Sequence, residues 1–394
     1  MKKTTSIIFT GDISFDRYMA GKWTDHELIS ADIKDFLYSA DHVVANVEGA
    51  LIREDEAKDI TEKGIFFHTM DPKAVQFLDL IRADIWNLAN NHTMDAGVGG
   101  IASALSIAGK MGVQTIGAGK NLDEAKKPLI LSEAGGVGLI SVGFMPMCIR
   151  ATADKAGVFG WDEMDRIAEL ILEVKKTCRW CVIISHGGEE FTTLPAPYTR
   201  SRYHEYLDMG ADIVVGHHPH VPMNYERVGN KIIFYSLGNF VFDTDYQRVQ
   251  PNTDIGILLK ICFSEECFTF EPLGTELIRG EERIVKGSIP AIFEDVSHEE
   301  YTYLIRMAAK AYMTNERRRA DFISGGAMKN NTDEQWVNYY RDYNDPYRVQ
   351  GTILDLVIWH VLECVKDSGE FEKSGLDGVK AYILDQISPS ERMN

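Results

Sequence analysis

Short apolar runs alternate with helical patterns along the first two-thirds of the chain. The runs are SIIFTGD (6–12), HVVANVE (42–48), DIWNLANN (84–91), VQTIGAG (113–119), GVGLISVGF (136–144), CVIISHGG (181–188), ADIVVGHHPH (211–220), KIIFYSLGNF (231–240) and GILLKICF (256–263). Most are nearly continuous apolar stretches rather than strict alternations, which predicts strands covered on both faces. Between them, KAVQFLDLI (73–81), GGIASALSIAGKMG (99–112), DEMDRIAELILEVKK (162–176) and RSRYHEYLDMG (200–210) carry apolar residues at helical spacing. The second of these closes on Gly112, where a helix C-terminal cap is expected. The alternation predicts an α/β layered fold.

Residues 264–290 read as a short β-rich or irregular extension. Beyond them the character changes: residues 299–324 and 352–366 are helical patterns with no strand between. The expected organisation is a principal domain over residues 1–290 and a helical C-terminal appendage over 291–394. The polar, aromatic stretch 328–348 reads as an ordinary loop or a lid. No internal repeat or low-complexity linker is visible.

Composition narrows the function classes. The 394 residues suffice to bury a core without disulfides. A net charge of −18 argues against binding a nucleic-acid backbone, because no excess of cations is there to displace counterions. It leaves an anionic substrate open, since a bound metal reverses the local sign. The apolar stretch after the opening lysines is too short for a signal-peptide core, and no run approaches the ~20 apolar residues of a membrane helix. The expectation is a cytoplasmic chain without an integral membrane segment, although a chain trimmed of an anchor would read the same. Cys178 and Cys181 form a CxxC. It leads into an apolar run and no second CxxC completes a zinc set, so buried reduced thiols are expected.

The chemistry-bearing residues gather just after the apolar runs. Asp12 follows the first; Asn46 and Glu48 end the second; Asn90, Asn91 and His92 end the third; His186 follows CVIIS; His217, His218 and His220 close the seventh. Loops at the carboxyl ends of α/β strands are where ligands bind. One buried histidine is ordinary, whereas several strands delivering Asp, Glu, Asn and His to one edge point to a metal centre. Imidazole and carboxylate donors without thiolate suit zinc, manganese or iron. Two such ions about 3.5–4 Å apart can clamp a phosphoryl group and supply a nucleophile near neutral pH. If HHPH is extended, His218 and His220 point the same way and His217 points away.

These residues resemble the capsule-synthesis and poly-γ-glutamate-synthesis CapA family of the calcineurin-like metallophosphatase superfamily. The matching stretches are GDISFDR (11–17), NVE (46–48), ANNH (89–92), HGGEE (186–190), GADIVVGHHPHV (210–221) and YSLGNFVFD (235–243). The resemblance implies a four-layer αββα sandwich with two divalent metal ions at one edge. It implies Asp12, Glu48, Asn91, His186, His218 and His220 as ligands, with Glu48 where the wider superfamily has a bridging Asp. His92 looks like the neighbouring acid or transition-state stabiliser, and Glu190 fits an HxGxE pattern that holds His186 or substrate. Arg17 is a candidate anion contact, and Asn46, His217 and Asn239 are candidate substrate contacts. Ser14 stands where the superfamily has a histidine, leaving one metal site weaker or completed by Asp16.

The implied function is a metal-dependent hydrolase of a phosphoester or of a γ-glutamyl amide. Its partners would be an anionic small molecule or polymer such as poly-γ-glutamate, and capsule-synthesis proteins. The alternative is a non-catalytic accessory protein in capsule or poly-γ-glutamate synthesis or export.

Overall fold

A computed structural model of the chain describes residues 3–56, 67–145 and 147–301. The chain divides into two units. The first comprises Met1–Thr193 and Tyr203–Asp295 and holds every element discussed below except the start of one helix. Of the second, the described residues are Leu194–Arg202 and Val296–Tyr301. Within that unit Tyr301 donates its hydroxyl to the Pro195 carbonyl over 2.8 Å. The two helical patterns expected beyond residue 299 and the segment 328–348 lie, but for the first residues, outside the described part.

In chain order the main strands are β1 (Thr4–Ile13), β2 (His42–Val47), β3 (Ile85–Asn87), β4 (Gln114–Ile116), β5 (Leu129–Leu131), β6 (Val137–Gly143), β7 (Trp180–His186), β8 (Ile213–His217), β9 (Tyr225–Val228), β10 (Lys231–Phe234), β11 (Asn239–Val241), β12 (Ile255–Ser264), β13 (Phe268–Ile278) and β14 (Arg283–Lys286). The helices used below are α1 (Ala31–Tyr38), α2 (Val75–Leu80), α3 (Gly97–Met111), α4 (Met164–Thr177), α5 (Pro197–Asp208) and the single turn α6 (Asp245–Arg248). The expected strands and helices form where their patterns lie. The stretch 264–290 is regular: β12, β13 and β14 form an antiparallel meander.

Two large sheets result. The first has eight strands in the order β14-β13-β12-β1-β2-β3-β4, with β11 pairing beside the end of β1. Its β1-β2-β3-β4 half is parallel. The second has six strands in the order β9-β10-β8-β7-β6-β5, with β6, β7, β8 and β10 parallel. Their facing sides share one core: Ile7, Phe9, Val44 and Ile85 of the first sheet cluster with Leu139, Val182, Ile184, Val215 and Phe234 of the second. The outer face of the first sheet, with Ile8, Val43 and Trp86, packs on Ile33 and Leu37 of α1, Phe77 of α2 and Ile101 and Ala104 of α3. On the far side α4 buries Ile167, Leu170, Ile171 and Val174, an i, i+3, i+4, i+7 stripe, against β6 and β7. Each such side chain contributes about 1.5–3 kcal/mol by leaving water. The layers are therefore α, β, β, α. The inner strands read as continuous apolar runs because both faces are covered: every residue of β6, β7 and β8 is buried.

Local chemistry sets the boundaries. Gly112 ends α3 at φ 71°, the left-handed cap its sequence predicts. Gly11 lets β11 approach β1 beside Asp12, since a Cβ there would sit 2.3 Å from the Gly238 carbonyl oxygen. Any larger residue at position 11 would push the two strands apart at the edge where the polar residues gather.

Candidate metal centre

Strand register delivers the site. Asp12 of β1 pairs with Asn46 of β2 on one side and Asn239 of β11 on the other, and Asn46 pairs in turn with Asn87 of β3. In the second sheet His186 of β7 pairs with His217 of β8. The polar rows therefore lie at the carboxyl ends of the parallel strands of both sheets.

Two sets of donors share one carboxylate. Asp12, Glu48 and His220 form one set and Glu48, His186 and His218 the other, with ligand atoms of each within 4.8 Å of one another and all five residues buried. Glu48 Oε1 lies 3.6 Å from His186 Nε2 and 3.8 Å from His220 Nε2. Those separations are too long for hydrogen bonds. They suit donors around shared cations, since ligand–metal distances of about 2.0–2.2 Å put neighbouring donors some 3–4 Å apart. Asn91 Oδ1 stands 2.7 Å from His186 Nε2, beside the second set.

The donor chemistry fits divalent cations. Both Glu48 carboxylate oxygens are fully buried and have no hydrogen-bond partner among the described residues. A buried carboxylate so placed is costly unless a cation compensates it. Burial, and then the charge of Asp12, push the Glu48 carboxyl well above the usual range. Burial also opposes ionisation of Asp12, but its hydrogen bond and charge interaction with His220 outweigh that and hold it below the ordinary carboxylate value. Burial disfavours a charged His220, yet Glu48 and Asp12 raise its imidazole to about 10: the carboxylates draw positive charge to this spot. His186 is pushed well below its usual value by burial and then by His218, which keeps a nitrogen lone pair available for a metal.

A polar scaffold orients these donors. Asn46 Nδ2 donates to Asp12 Oδ1 at 2.7 Å and lies 3.3 Å from His186 Nδ1. Asn87 donates to Asn46 Oδ1 at 2.7 Å, and the Ser141 hydroxyl donates to Asn87 Oδ1. His220 Nδ1 sits 3.0 Å from Asn239 Oδ1, whose amide donates to Gln247 and to the Thr253 carbonyl. His217 Nε2 donates to the Thr10 carbonyl at 2.9 Å. Asn46, His217 and Asn239 thus stand in the wall beneath the donors, and none of the three lines the cavity above it. In place of the substrate contacts expected of them, these side chains hold Asp12, the Thr10 carbonyl and His220.

The seventh run departs from its expected geometry. β8 ends at His217, and the next histidines are not extended: His218 has φ 98° and His220 φ 59°. A left-handed turn, not strand alternation, brings the His220 ring in beside Asp12 and the His218 ring in beside Glu48 and His186. The His218 amide donates to Asp12 Oδ2 at 3.3 Å, the same oxygen that His220 Nδ1 approaches at 3.3 Å. Left-handed backbone costs a non-glycine residue about 1–2 kcal/mol, a strain that concentrates at functional sites.

A cavity of about 820 Å³ opens above the donors. His92, Asn91, His220, Arg17 and Glu190 line it. His92 Nδ1 is held by Asp95 Oδ2 at 2.6 Å, leaving its Nε2 3.9 Å from Glu48. Of the two roles expected of Glu190, holding His186 or substrate, its place on the cavity wall suits the second, and its Oε1 lies 3.9 Å from His218 Nε2. Asp16 does not complete the donor set in place of the missing imidazole. Its Oδ2 holds His68 Nδ1 at 2.8 Å and its Oδ1 caps the turn at Arg17.

Sequence reasoning missed His68 and Asp95. The His68 ring meets His92 edge-on at 4.3 Å and lines the same cavity, and its backbone amide donates to Asp95 at 2.7 Å. Asp95 lies three residues after His92, a spacing that signals the pair. His68 follows no motif, and only the fold brings it in.

Residues 6–244 match the family described as bacterial capsule synthesis protein PGA_cap. The chain belongs to this family. The chain is 33% identical over 260 residues to the PGA biosynthesis protein CapA of Bacillus subtilis, covering 65% of this chain and 68% of that protein. It is 27% identical over 256 residues to the capsule biosynthesis protein CapA of Bacillus anthracis, covering 63% of this chain and 62% of that one. A probable polyglutamine synthesis accessory protein of Mycobacterium tuberculosis is 28% identical over 220 residues, covering 52% of this chain and 56% of its own length. Among solved structures, a hypothetical protein from Thermus thermophilus aligns over 69% of this chain and 99% of its own at 15% identity and a TM-score of 0.44. Among the described residues no helix is long and apolar enough to cross a membrane.

Proposed function

We propose that this PGA_cap protein is a metal-dependent hydrolase of phosphoesters serving capsule or poly-γ-glutamate synthesis. The observation that carries this reading is Glu48, a buried carboxylate with no hydrogen-bond partner among the described residues, which belongs to two donor sets at once. Asp12, Glu48 and His220 would hold one divalent ion, and Glu48, Asn91, His186 and His218 the other. Manganese, zinc and iron all suit these imidazole and oxygen donors. When bound, such a pair supplies Lewis-acid polarisation of a phosphoryl oxygen and a nucleophile at neutral pH.

The chain's own residues would do the rest. Asp95 fixes the His92 tautomer so that Nε2 faces the cavity, placed to give a proton to a leaving oxygen or to stabilise charge on it. Arg17, at the cavity lip, anchors an anionic group. Asn46 and Asn239 hold Asp12 and His220 in position.

The test is metal content of protein purified without chelator or histidine tag, by elemental mass spectrometry, beside turnover of phosphoesters. About two transition-metal ions per chain, with turnover lost in His218→Ala, is the expected result. Undiminished turnover in that variant overturns the reading.

A second reading is a metal-binding accessory protein without turnover. It draws on Ser14, whose buried hydroxyl has no hydrogen-bond partner among the described residues and stands where the superfamily supplies an imidazole. One relative's name also describes an accessory protein. Metal uptake without turnover of any phosphoester or γ-glutamyl amide, together with co-purification of a synthesis component, would favour it.

A further inference from the structure

Beside the donor cluster the cavity wall is aromatic. The Phe191 ring lies nearly parallel to His220, 5.8 Å away at 23°, and Tyr246 meets Phe191 edge-on at 5.4 Å. Phe242 packs on the other side of the site, 4.7 Å from His220 and 5.2 Å from His68. The Phe191 backbone is left-handed, φ 61°, and its amide donates to the Pro219 carbonyl at 2.9 Å. A bulky residue with that φ is an outlier kept only where its surroundings fix it. Here the fixing partner belongs to the same turn that carries His218 and His220, so the ring is set relative to the donors. Tyr246, on α6, remains 50% exposed and Met147 across the cavity 38%.

The charges around the cavity are few and opposed. Away from the donor cluster, and among the described residues, Arg17 is the guanidinium on the cavity wall, against the carboxylates of Glu190 and Asp245. Asp245 accepts a hydrogen bond from the Tyr18 hydroxyl at 2.5 Å. Beyond the donors, a chain of many carboxylates would meet one guanidinium and two like charges. A substrate whose negative charge is confined to one group, carried to the donors, meets no such repulsion, and its remaining body would lie on rings.

We propose that the cavity accepts a phosphoester bearing a planar aromatic or heteroaromatic group, which packs against the wall formed by Phe191 and Tyr246 while its phosphoryl group faces His92, Asn91 and His220. The proposal rests on the phosphoesterase reading and narrows its substrate. Phe191 and Tyr246 are then specificity residues, and the long polyanion is not what enters the cavity.

Binding of non-hydrolysable phosphonates to the full, manganese-loaded chain, followed by isothermal titration calorimetry, separates the two readings. Phenylphosphonate is expected to bind about tenfold more tightly than methylphosphonate, the scale of aromatic stacking. Tyr246→Ser, a change at a half-exposed position, is expected to remove most of that advantage and leave methylphosphonate affinity unchanged. Phe191→Leu should also lower the advantage of phenylphosphonate over methylphosphonate. Equal affinity of the two phosphonates in the unaltered protein would overturn the aromatic wall while leaving the phosphoesterase reading standing. An advantage that survives both substitutions would also overturn it. Binding of neither phosphonate by protein that has taken up manganese would remove the phosphoesterase reading, and this proposal with it.

Discussion

Asn46 donates its amide to Asp12 across 2.7 Å, joining the carboxyl ends of two parallel strands at a point where both side chains are buried. The contact fixes which Asp12 oxygen faces inward and leaves Oδ2 toward His218 and His220. Asn46→Ala would free the Asp12 carboxylate to rotate and leave Asn87 without its acceptor. Metal affinity is expected to fall about 10–100-fold, as for other groups that orient ligands. Folding stability should fall by roughly 1–3 kcal/mol through the lost buried hydrogen bonds. Metal titration and urea unfolding of the variant check both. Unchanged affinity would show that Asp12 needs no such support.

Asp95 serves two histidines, accepting from the His92 ring at 2.6 Å and from the His68 backbone at 2.7 Å. Asp95→Asn keeps the shape but removes the charge and the acceptor preference that set the His92 tautomer. On the proposed mechanism turnover should drop about 10²-fold or more, while metal content stays at the wild-type level. A variant that loses metal as readily as His218→Ala would make Asp95 a structural support of the donors instead.

A pH dependence follows from His42, which opens β2 and lies 2.7 Å from Asp84 Oδ2. The hydrogen bond to Asp84 raises the His42 value above the ordinary 6.5, against a smaller opposing effect of burial. The folded state therefore holds the proton more tightly than the unfolded chain. The stabilisation is fully present below about pH 6.5 and is lost as pH rises through the folded value. Urea unfolding of the wild type and of His42→Gln should differ most near pH 5.5 and least near about pH 8.5. A difference that grows with pH would reverse the assignment.

The CxxC is inert in the native fold. Cys178 and Cys181 are free and buried, and burial lifts the Cys181 thiol to about 12. Thiolate, the reactive form, is then negligible at neutral pH. Brief alkylation of native protein is expected to label the exposed Cys267 and spare Cys178 and Cys181. Mass-spectrometric detection of label on Cys181 before Cys267 would overturn this.

Much of the site was determined by the sequence itself. Continuous apolar runs identify strands covered on both faces, and a donor residue just past such a run must emerge at the strand's carboxyl end. That reasoning gathers Asp12, Asn46, Glu48, Asn90, Asn91, His92, His186, His217, His218 and His220 at one edge, because strand direction and side-chain chemistry are local properties, and the family resemblance singles out six of them as ligands. Tertiary structure decided what depends on register and on turns. It tied Asn46 to Asp12, His217 to the Thr10 carbonyl and Asn239 to His220, contacts between residues far apart in the chain. It turned His218 and His220 inward through left-handed backbone that an extended reading of HHPH cannot anticipate. It also engaged Asp16 with His68, a partner 52 positions away. A contact between residues so far apart in sequence is set by packing of the whole fold, which local pattern does not encode.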